Sequence, residues 1–122
     1  MRTLTDHKVN PVNDTLDVHV IDEPGHGGAS HLYEITGYQS PNGNAGVVIE
    51  FQDGPINEVG VNGLTHEVLL AIVADRLRSF QAGPFASRHN ALALTHIEDA
   101  QNWLNRRALE RMRRGVEGTS ER

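Results

Sequence analysis

Arginines near the end of the chain have a spacing that suits the binding of an anion. Arg107, Arg111 and Arg114 stand at positions i, i+4 and i+7, which puts their guanidinium groups on one face of a helix, and Trp103 lies one turn before them. Arginine binds phosphate or carboxylate through two parallel hydrogen bonds and also stacks on planar rings. The helix dipole favours cations at a helix C-terminus as well, so the spacing alone leaves both interpretations open.

A second concentration of functional groups is the stretch FQAGPFASRHN, which runs from Phe80 to Asn90. It holds two aromatic rings, an arginine, a histidine and an asparagine around a Gly-Pro pair, in a chain that is only 5% aromatic. Structural roles are the alternative: Phe80 is in phase with an apolar helical face, Phe85 fits a plug at a corner, and Asn90 fits a helix cap. The residues by themselves do not decide between these interpretations.

The remaining chemistry-bearing residues give weaker indications. Seven histidines include His19, His26 and His31, yet none has HExxH or equivalent spacing, so no metal site is predicted. The GHGG run lacks the spacing of a dinucleotide or Walker loop and is predicted to be a hairpin loop. Adjacent carboxylates such as Glu98 and Asp99 point to different faces. With no cysteine and no GxSxG motif, catalysis is not indicated and no cofactor is expected.

The net charge and the length of the chain further limit the classes of function that are possible. The net charge of −5 argues against a protein that coats nucleic acid, because Lys and Arg supply most of that affinity. Ten of the eleven cationic side chains are arginine, and nine of those lie in residues 65–122, which favours a compact anionic ligand. The 122 residues fit one domain. No apolar run crosses a membrane or forms a secretory signal, so a cytoplasmic protein is predicted.

Two kinds of element position these residues. Residues 1–14 are polar and aperiodic and predict a mobile tail. Residues 15–62 predict antiparallel strands in LDVHVI (16–21), HLYEITGY (31–38), GVVIEFQ (46–52) and a fourth in NEVGV (57–61), with a hairpin turn at Asn42-Gly43. Residues 63–115 predict a helical hairpin and 116–122 a second tail. The fold class is therefore α+β, with a small N-terminal antiparallel sheet followed by a C-terminal two-helix hairpin.

The two helices have clear boundary signals. Thr65 is the predicted N-cap of the first, which ends at Gly83-Pro84, and the second is predicted from near Ser87 to Arg114 with Gly115 at its C-terminal cap. The second spans about 28 residues, or roughly 40 Å, so it projects beyond the first or meets another chain. The predicted apolar positions are Leu69, Leu70, Val73, Leu77 and Phe80 in the first helix, and Ala93, Ile97, Ala100, Leu104 and Ala108 in the second.

Residues 60–119 resemble the helical hairpin domain shared by the Thoeris anti-defence and anti-CBASS sponge families of phage. The match is specific in GVNG, FQxGPF, the segment from Asn90 to Leu94, and RRGVEGT. With a predicted antiparallel sheet before the hairpin, the arrangement is similar to the first type of Thoeris anti-defence protein. The strand half resembles that family only in general character.

The resemblance implies a sponge that binds glycocyclic ADP-ribose, the signal made by Toll/interleukin-receptor-like enzymes, in the host cytoplasm and returns it unaltered. Some members also bind cyclic di- or trinucleotides in separate sites, and members assemble as dimers and as hexamers, which are trimers of dimers. Neither a membrane nor a nucleic-acid polymer is an implied partner. The alternatives are an enzyme that hydrolyses such a signal and a phage accessory protein that binds nucleic acid.

The family's binding positions transfer residue by residue. The resemblance implies that the signal is bound by Phe80 through stacking on adenine, by Asn90 through hydrogen bonds to a base or ribose, and by Arg107 and Arg111 through the diphosphate. Further implied ligand-binding residues are Phe85 in the same pocket, and Thr65, Arg88 and the GVEGT segment for a second one.

Spacing adds a constraint on this site. Asn90 and Arg107 are seventeen residues apart on one predicted helix, which corresponds to about 25 Å of rise, more than twice the width of a cyclic nucleotide. One chain therefore cannot bring both residues to one ligand. If the implied positions hold, the pocket is composite, with the Phe80 to Asn90 stretch of one copy facing the arginines of another across antiparallel helices.

Overall fold

Four short strands form an antiparallel sheet in the computed structural model, which describes all 122 residues. In chain order across the sheet they are β1 Arg2–Leu4, β2 Asp17–Val20, β3 Leu32–Thr36 and β4 Gly46–Glu50. The last three lie within segments whose β-branched residues and alternation predicted strands. The predicted turn at Asn42-Gly43 lies in the β3–β4 connection. The α+β class, with the sheet first, is confirmed.

The N-terminal residues do not form the predicted tail. β1 pairs with β2, and Pro11–Thr15 forms the short helix α1. Lys8 Nζ lies 2.9 Å from the Asp17 carboxylate, and this hydrogen bond and charge hold the pKa of Asp17 below its ordinary value. The expectation of a mobile tail for residues 1–14 is therefore wrong. The pairing partner of β1 is more than a dozen residues away, and so distant a contact leaves no periodic pattern in a polar segment.

The predicted strand in residues 57–61 is also wrong. Residues 57–59 belong to a short helix, α2, spanning Ile56–Val59, and Gly60 and Val61 follow it. The carbonyl of Pro55 accepts two backbone N–H groups of α2, both at 3.0 Å, and Gly60 ends the helix with φ at +76°. Proline before and glycine after a short segment outweigh the strand preference of its β-branched residues.

The helical hairpin has the predicted boundaries. α3 spans His66–Gln81 and α4 spans Arg88–Arg113. The Thr65 hydroxyl accepts a backbone N–H three residues later at 3.3 Å, and the Ser87 hydroxyl does the same at 3.1 Å. Each hydroxyl satisfies one of the N–H groups that a helix leaves unpaired at its start. Gly115, with φ at +72°, follows α4 as predicted.

The helices bury less apolar surface than their sequence pattern predicts. In the predicted face of α3, Val73 is 42% and Phe80 is 40% exposed, whereas the buried residue of α3, Ala74, was not predicted as part of that face. In α4, Ala93 is exposed and the rest of the predicted stripe is half-buried. A helix in a two-helix hairpin has only one packed neighbour, so its apolar stripe is wider than the area that the neighbour covers.

The contacts divide the chain into two compact units. One consists of residues 1–54 and 61–64, and the other of residues 55–60 and 65–122. The predicted boundary between sheet and hairpin lies close to this division, and single-domain behaviour stays a prediction. None of the helices has the length and apolar character needed to cross a membrane.

Residues 61–64, which precede α3, contact the sheet unit through backbone hydrogen bonds. Leu64 donates its N–H to the carbonyl of Glu50 at 2.8 Å and accepts the N–H of Gln52 at 2.9 Å. A Cβ atom at Gly63 would lie 2.4 Å from the carbonyl carbon of Phe51, so a side chain has no room there. The glycine of the GVNG motif thus permits this close approach.

Candidate functional site

The hairpin corner exposes the aromatic residues of the Phe80 to Asn90 stretch. Phe80 is 40% exposed with the Arg76 guanidinium 5.5 Å from its ring centroid, and Phe85 is 73% exposed. A guanidinium over a ring makes a cation–π contact, and the exposed part of each ring is accessible to a ligand. The corner therefore presents two rings that can stack on a ligand.

Hydrogen bonds across the turn hold this corner in one conformation. Gln81 donates its side-chain N–H to the carbonyl of Ser87 and accepts the N–H of Ser87, both at 3.0 Å. Ser87 caps α4, so Asn90 is not the cap: its backbone N–H is the group that Ser87 binds. The side chain of Asn90 makes none of the hydrogen bonds that define the turn. It is half-buried near Arg88, which is exposed.

The C-terminal half of α4 carries a surface cavity lined by arginines. Its volume is about 420 Å³, and the residues lining it are Trp103, Arg106, Arg107, Leu109, Glu110 and Arg113. The Arg106 guanidinium lies 5.0 Å from the Trp103 ring centroid, and Trp103 is 67% exposed. Glu110 pairs with Arg114 at 3.4 Å and not with the flanking arginines. Arg107 is exposed and lines this cavity.

Arg111 has a different environment from Arg107. Its side chain is 9% exposed, and its Nη2 group donates to the carbonyls of Val116 at 3.0 Å and Thr119 at 3.2 Å. Its Nη1 group donates to the carbonyl of Glu121, and its Nε lies 3.4 Å from the Glu117 carboxylate. The structure therefore does not present Arg107, Arg111 and Arg114 as one open arginine face.

The candidate residues form two groups at opposite ends of α4. Phe80, Phe85, Arg88 and Asn90 lie at the hairpin corner, whereas Arg107 and Arg111 lie at the far end. Asn90 and Arg107 belong to one continuous helix, so the rise between them is about 25 Å. The structure therefore does not bring the two groups to one point in a single chain.

Thr65 lies on the arginine side of the hairpin. Glu67, in the first turn of α3, lines the same groove as Asn105 of α4, which places the start of α3 well away from the corner. This groove measures about 560 Å³ and also contains the 3.1 Å ion pair between Arg78 and Glu98. The sequence did not lead us to predict this groove. A signal that could have indicated it is a polar series that repeats at helical spacing on α4, namely Glu98, Gln101, Asn102 and Asn105.

The histidines do not converge on a metal site. His31 is buried between Asp22 and Asp53, with nitrogen–oxygen distances of 3.8 and 3.6 Å. The Asp22 carboxylate accepts the backbone N–H of Leu32 at 3.0 Å and of His31 at 2.8 Å, and these bonds, with that to Leu32 the largest influence, lower the pKa of Asp22. The structure contains no group of three or more histidine or carboxylate side chains that could hold a metal ion.

Comparison with known proteins relates the hairpin to a described family. Residues 43–109 match the family described as Acb2/Tad1, hairpin domain. The chain is also similar to a protein named Thoeris anti-defense 1 from Bacillus phage SBSphiJ7, with 50% identity over 74 residues. That similarity covers 61% of this chain and 52% of the relative, so the chain spans about half the length of the protein it matches.

Proposed function

Because the chain belongs to the Acb2/Tad1 hairpin family, we propose that it is a phage anti-defence sponge that sequesters glycocyclic ADP-ribose. The relative named Thoeris anti-defense 1 supports a role against Thoeris. In this proposal the protein acts in the host cytoplasm and is not an enzyme. Cyclic di- and trinucleotides are additional proposed ligands, bound in separate sites that include Thr65 and Arg88.

The observation that supports the proposal best is the separation of two complementary groups along α4. The corner offers the Phe80 ring and the Asn90 amide, which suit a nucleobase and a ribose. The other end offers Arg107 in an open cavity, which suits a diphosphate. The two groups together supply the contacts that an adenine nucleotide with phosphates can use.

A second copy of the chain completes the site in this proposal. When two α4 helices lie antiparallel, the corner of one copy faces the arginines of the other, and the twofold axis produces two equal composite sites. Leu109 and Met112, 60% and 62% exposed on the C-terminal half of α4, offer apolar area for such a contact. The dimer is the minimal functional unit, and three dimers form the proposed hexamer.

The proposed contacts are strong enough for sequestration. Stacking of one base contributes roughly 1 to 3 kcal/mol, and each hydrogen bond to a charged group roughly 1.5 to 3 kcal/mol. One stacked base and three or four such bonds sum to about 5 to 15 kcal/mol before the costs of association, which are at least about 4 kcal/mol. A preorganised site near the upper end of this range reaches about −10 kcal/mol, which corresponds to a Kd of tens of nanomolar.

Calorimetric titration tests the proposed function. We expect glycocyclic ADP-ribose to bind with one site per chain, and heat-denatured protein to release the ligand unchanged. Cyclic dinucleotides and cyclic tri-AMP, titrated in parallel, test the additional sites. Release of a cleaved product would show a hydrolase instead. Absence of binding by all of these nucleotides would refute the proposal.

A further inference from the structure

The end of α4 reverses direction so that the chain returns over the Arg111 side chain. Gly115 donates its N–H to the carbonyl of Met112, and Val116 donates to the carbonyl of Arg111, both at 3.0 Å. This pair of bonds is a Schellman motif, which the positive φ of Gly115 permits. The residues after it, 116–121, are here named the return segment.

The return segment has a defined conformation. The Thr119 hydroxyl donates to the carbonyl of Val116 and accepts the N–H of Glu121 at 3.1 Å. On its other side, the carbonyl of Gly118 accepts the N–H of Asn57, at the start of α2, at 3.0 Å. The segment is therefore held both by α2 and by Arg111.

The return segment occupies the part of Arg111 that an anion needs. A guanidinium group can bind phosphate through two parallel bonds either from Nη1 and Nη2 or from Nε and Nη2, and both arrangements use a hydrogen of Nη2. Both Nη2 hydrogens are donated to the carbonyls of Val116 and Thr119. The Nε group faces the Glu117 carboxylate at 3.4 Å. Neither two-bond arrangement is free while the segment stays in place.

We propose that the return segment competes with an anionic ligand for Arg111, and that Glu117 supplies the competing negative charge. Glu117 is a specificity-determining residue in this account, because a ligand displaces it only by bringing phosphate charge of its own. Arg111 is both an anion-binding residue and the residue that positions the return segment. The inference rests on the proposed function only in taking Arg111 as part of the anion site.

A matched pair of charge-removing variants tests the proposal. Glu117 and Glu121 lie in the same segment, but only Glu117 directs its carboxylate at Arg111, since Glu121 contributes its backbone carbonyl. In a titration with inorganic pyrophosphate, followed by the NMR signal of the Arg111 Nε–H group, we expect Glu117→Gln to bind about threefold more tightly than the unaltered chain. Glu121→Gln should bind like the unaltered chain.

Three results would overturn the proposal. One is an equal gain in both variants, which would indicate only a long-range effect of charge. Another is a pyrophosphate titration of Glu117→Gln in which the Arg111 signal does not move. The third is unchanged amide hydrogen exchange of the return segment in Arg111→Lys. We expect this substitution to accelerate that exchange, so an unchanged rate would show that Arg111 does not hold the segment.

This test separates the inference from the proposed function. If no cyclic nucleotide binds the unaltered chain, yet pyrophosphate binds Glu117→Gln more tightly, then the proposed function fails and the competition stands. If glycocyclic ADP-ribose binds and Glu117→Gln gains nothing for pyrophosphate, then the proposed function stands and the competition is refuted.

Discussion

Residue types and local spacing identified the candidate groups but not their environments. The i, i+4, i+7 spacing of three arginines predicted a shared face, and the helix that this requires is present. The different burial of Arg107 and Arg111 could not be predicted, because it depends on the return segment. A segment that folds back over one side chain and not its neighbour gives no periodic signal in sequence.

Replacing Arg107 tests the anion site at its exposed member. We expect Arg107→Ala to weaken binding of glycocyclic ADP-ribose at least about tenfold, since a hydrogen bond to a charged group contributes roughly 1.5 kcal/mol or more. The free energy of unfolding should be nearly unchanged because Arg107 is exposed. Arg114→Ala removes the same charge from the same helix end, where Arg114 pairs with Glu110, and is the matched control. Equal calorimetric affinities of the two variants would contradict the assignment.

The Asp22 carboxylate makes the loop between β2 and β3 sensitive to acid. Because its pKa is lowered in the folded chain, its stabilising effect is complete above the ordinary value of 3.8 and is lost as the pH falls through the lower folded value. We expect the protection of the His31 and Leu32 amides against exchange, relative to their intrinsic rates, to fall in that acid range, which indicates faster opening of the loop. Asp22→Asn should accelerate it already at neutral pH, whereas Asp6→Asn, an exposed control, should not. An unaffected Asp22→Asn variant would show that the carboxylate does not hold the loop.

At the level of elements, local chemistry predicted most of the fold. The hairpin followed from the hydroxyl cap at Thr65, a Gly-Pro corner and a terminal glycine, all of which act within one helical turn. Sequence reasoning failed where the deciding interaction was distant or where local signals conflicted. β1 is a strand because β2 pairs with it, and α2 is a helix although its Ile56 and Val59 favour a strand.

Substitution of Thr65 tests one of these local signals. Thr65→Ala removes the hydroxyl that caps α3 and should destabilise the hairpin by about 1 kcal/mol, or lower its Tm by about 4 °C in calorimetry. Thr65→Ser keeps the hydroxyl and should retain most of the stability. If the alanine and serine variants melt together, the cap does not stabilise α3. Their affinities for cyclic trinucleotides test the separate prediction that Thr65 binds ligand.

At the level of the whole molecule, the proposed function depends on assembly. The chain places the corner and Arg107 about 25 Å apart on a rigid helix, so sequence spacing already predicted that one chain is not a complete site. Sequence could not predict which surfaces meet, because the exposed residues of α4 include both apolar and charged side chains. The composite site thus remains a prediction, and it has a direct stoichiometric consequence.

If the site is shared between two copies, two variants that each bind weakly should restore binding when they are mixed. Asn90→Ala and Arg107→Ala should each bind glycocyclic ADP-ribose at least about tenfold more weakly than the unaltered chain. In a mixed dimer, one site receives the intact Asn90 of one copy and the intact Arg107 of the other, and the second site receives both substitutions. Refolding the two chains together in equal amounts, followed by calorimetric titration, should restore about one quarter of the full number of high-affinity sites. A mixture that binds no better than either variant alone would contradict a site shared between two copies.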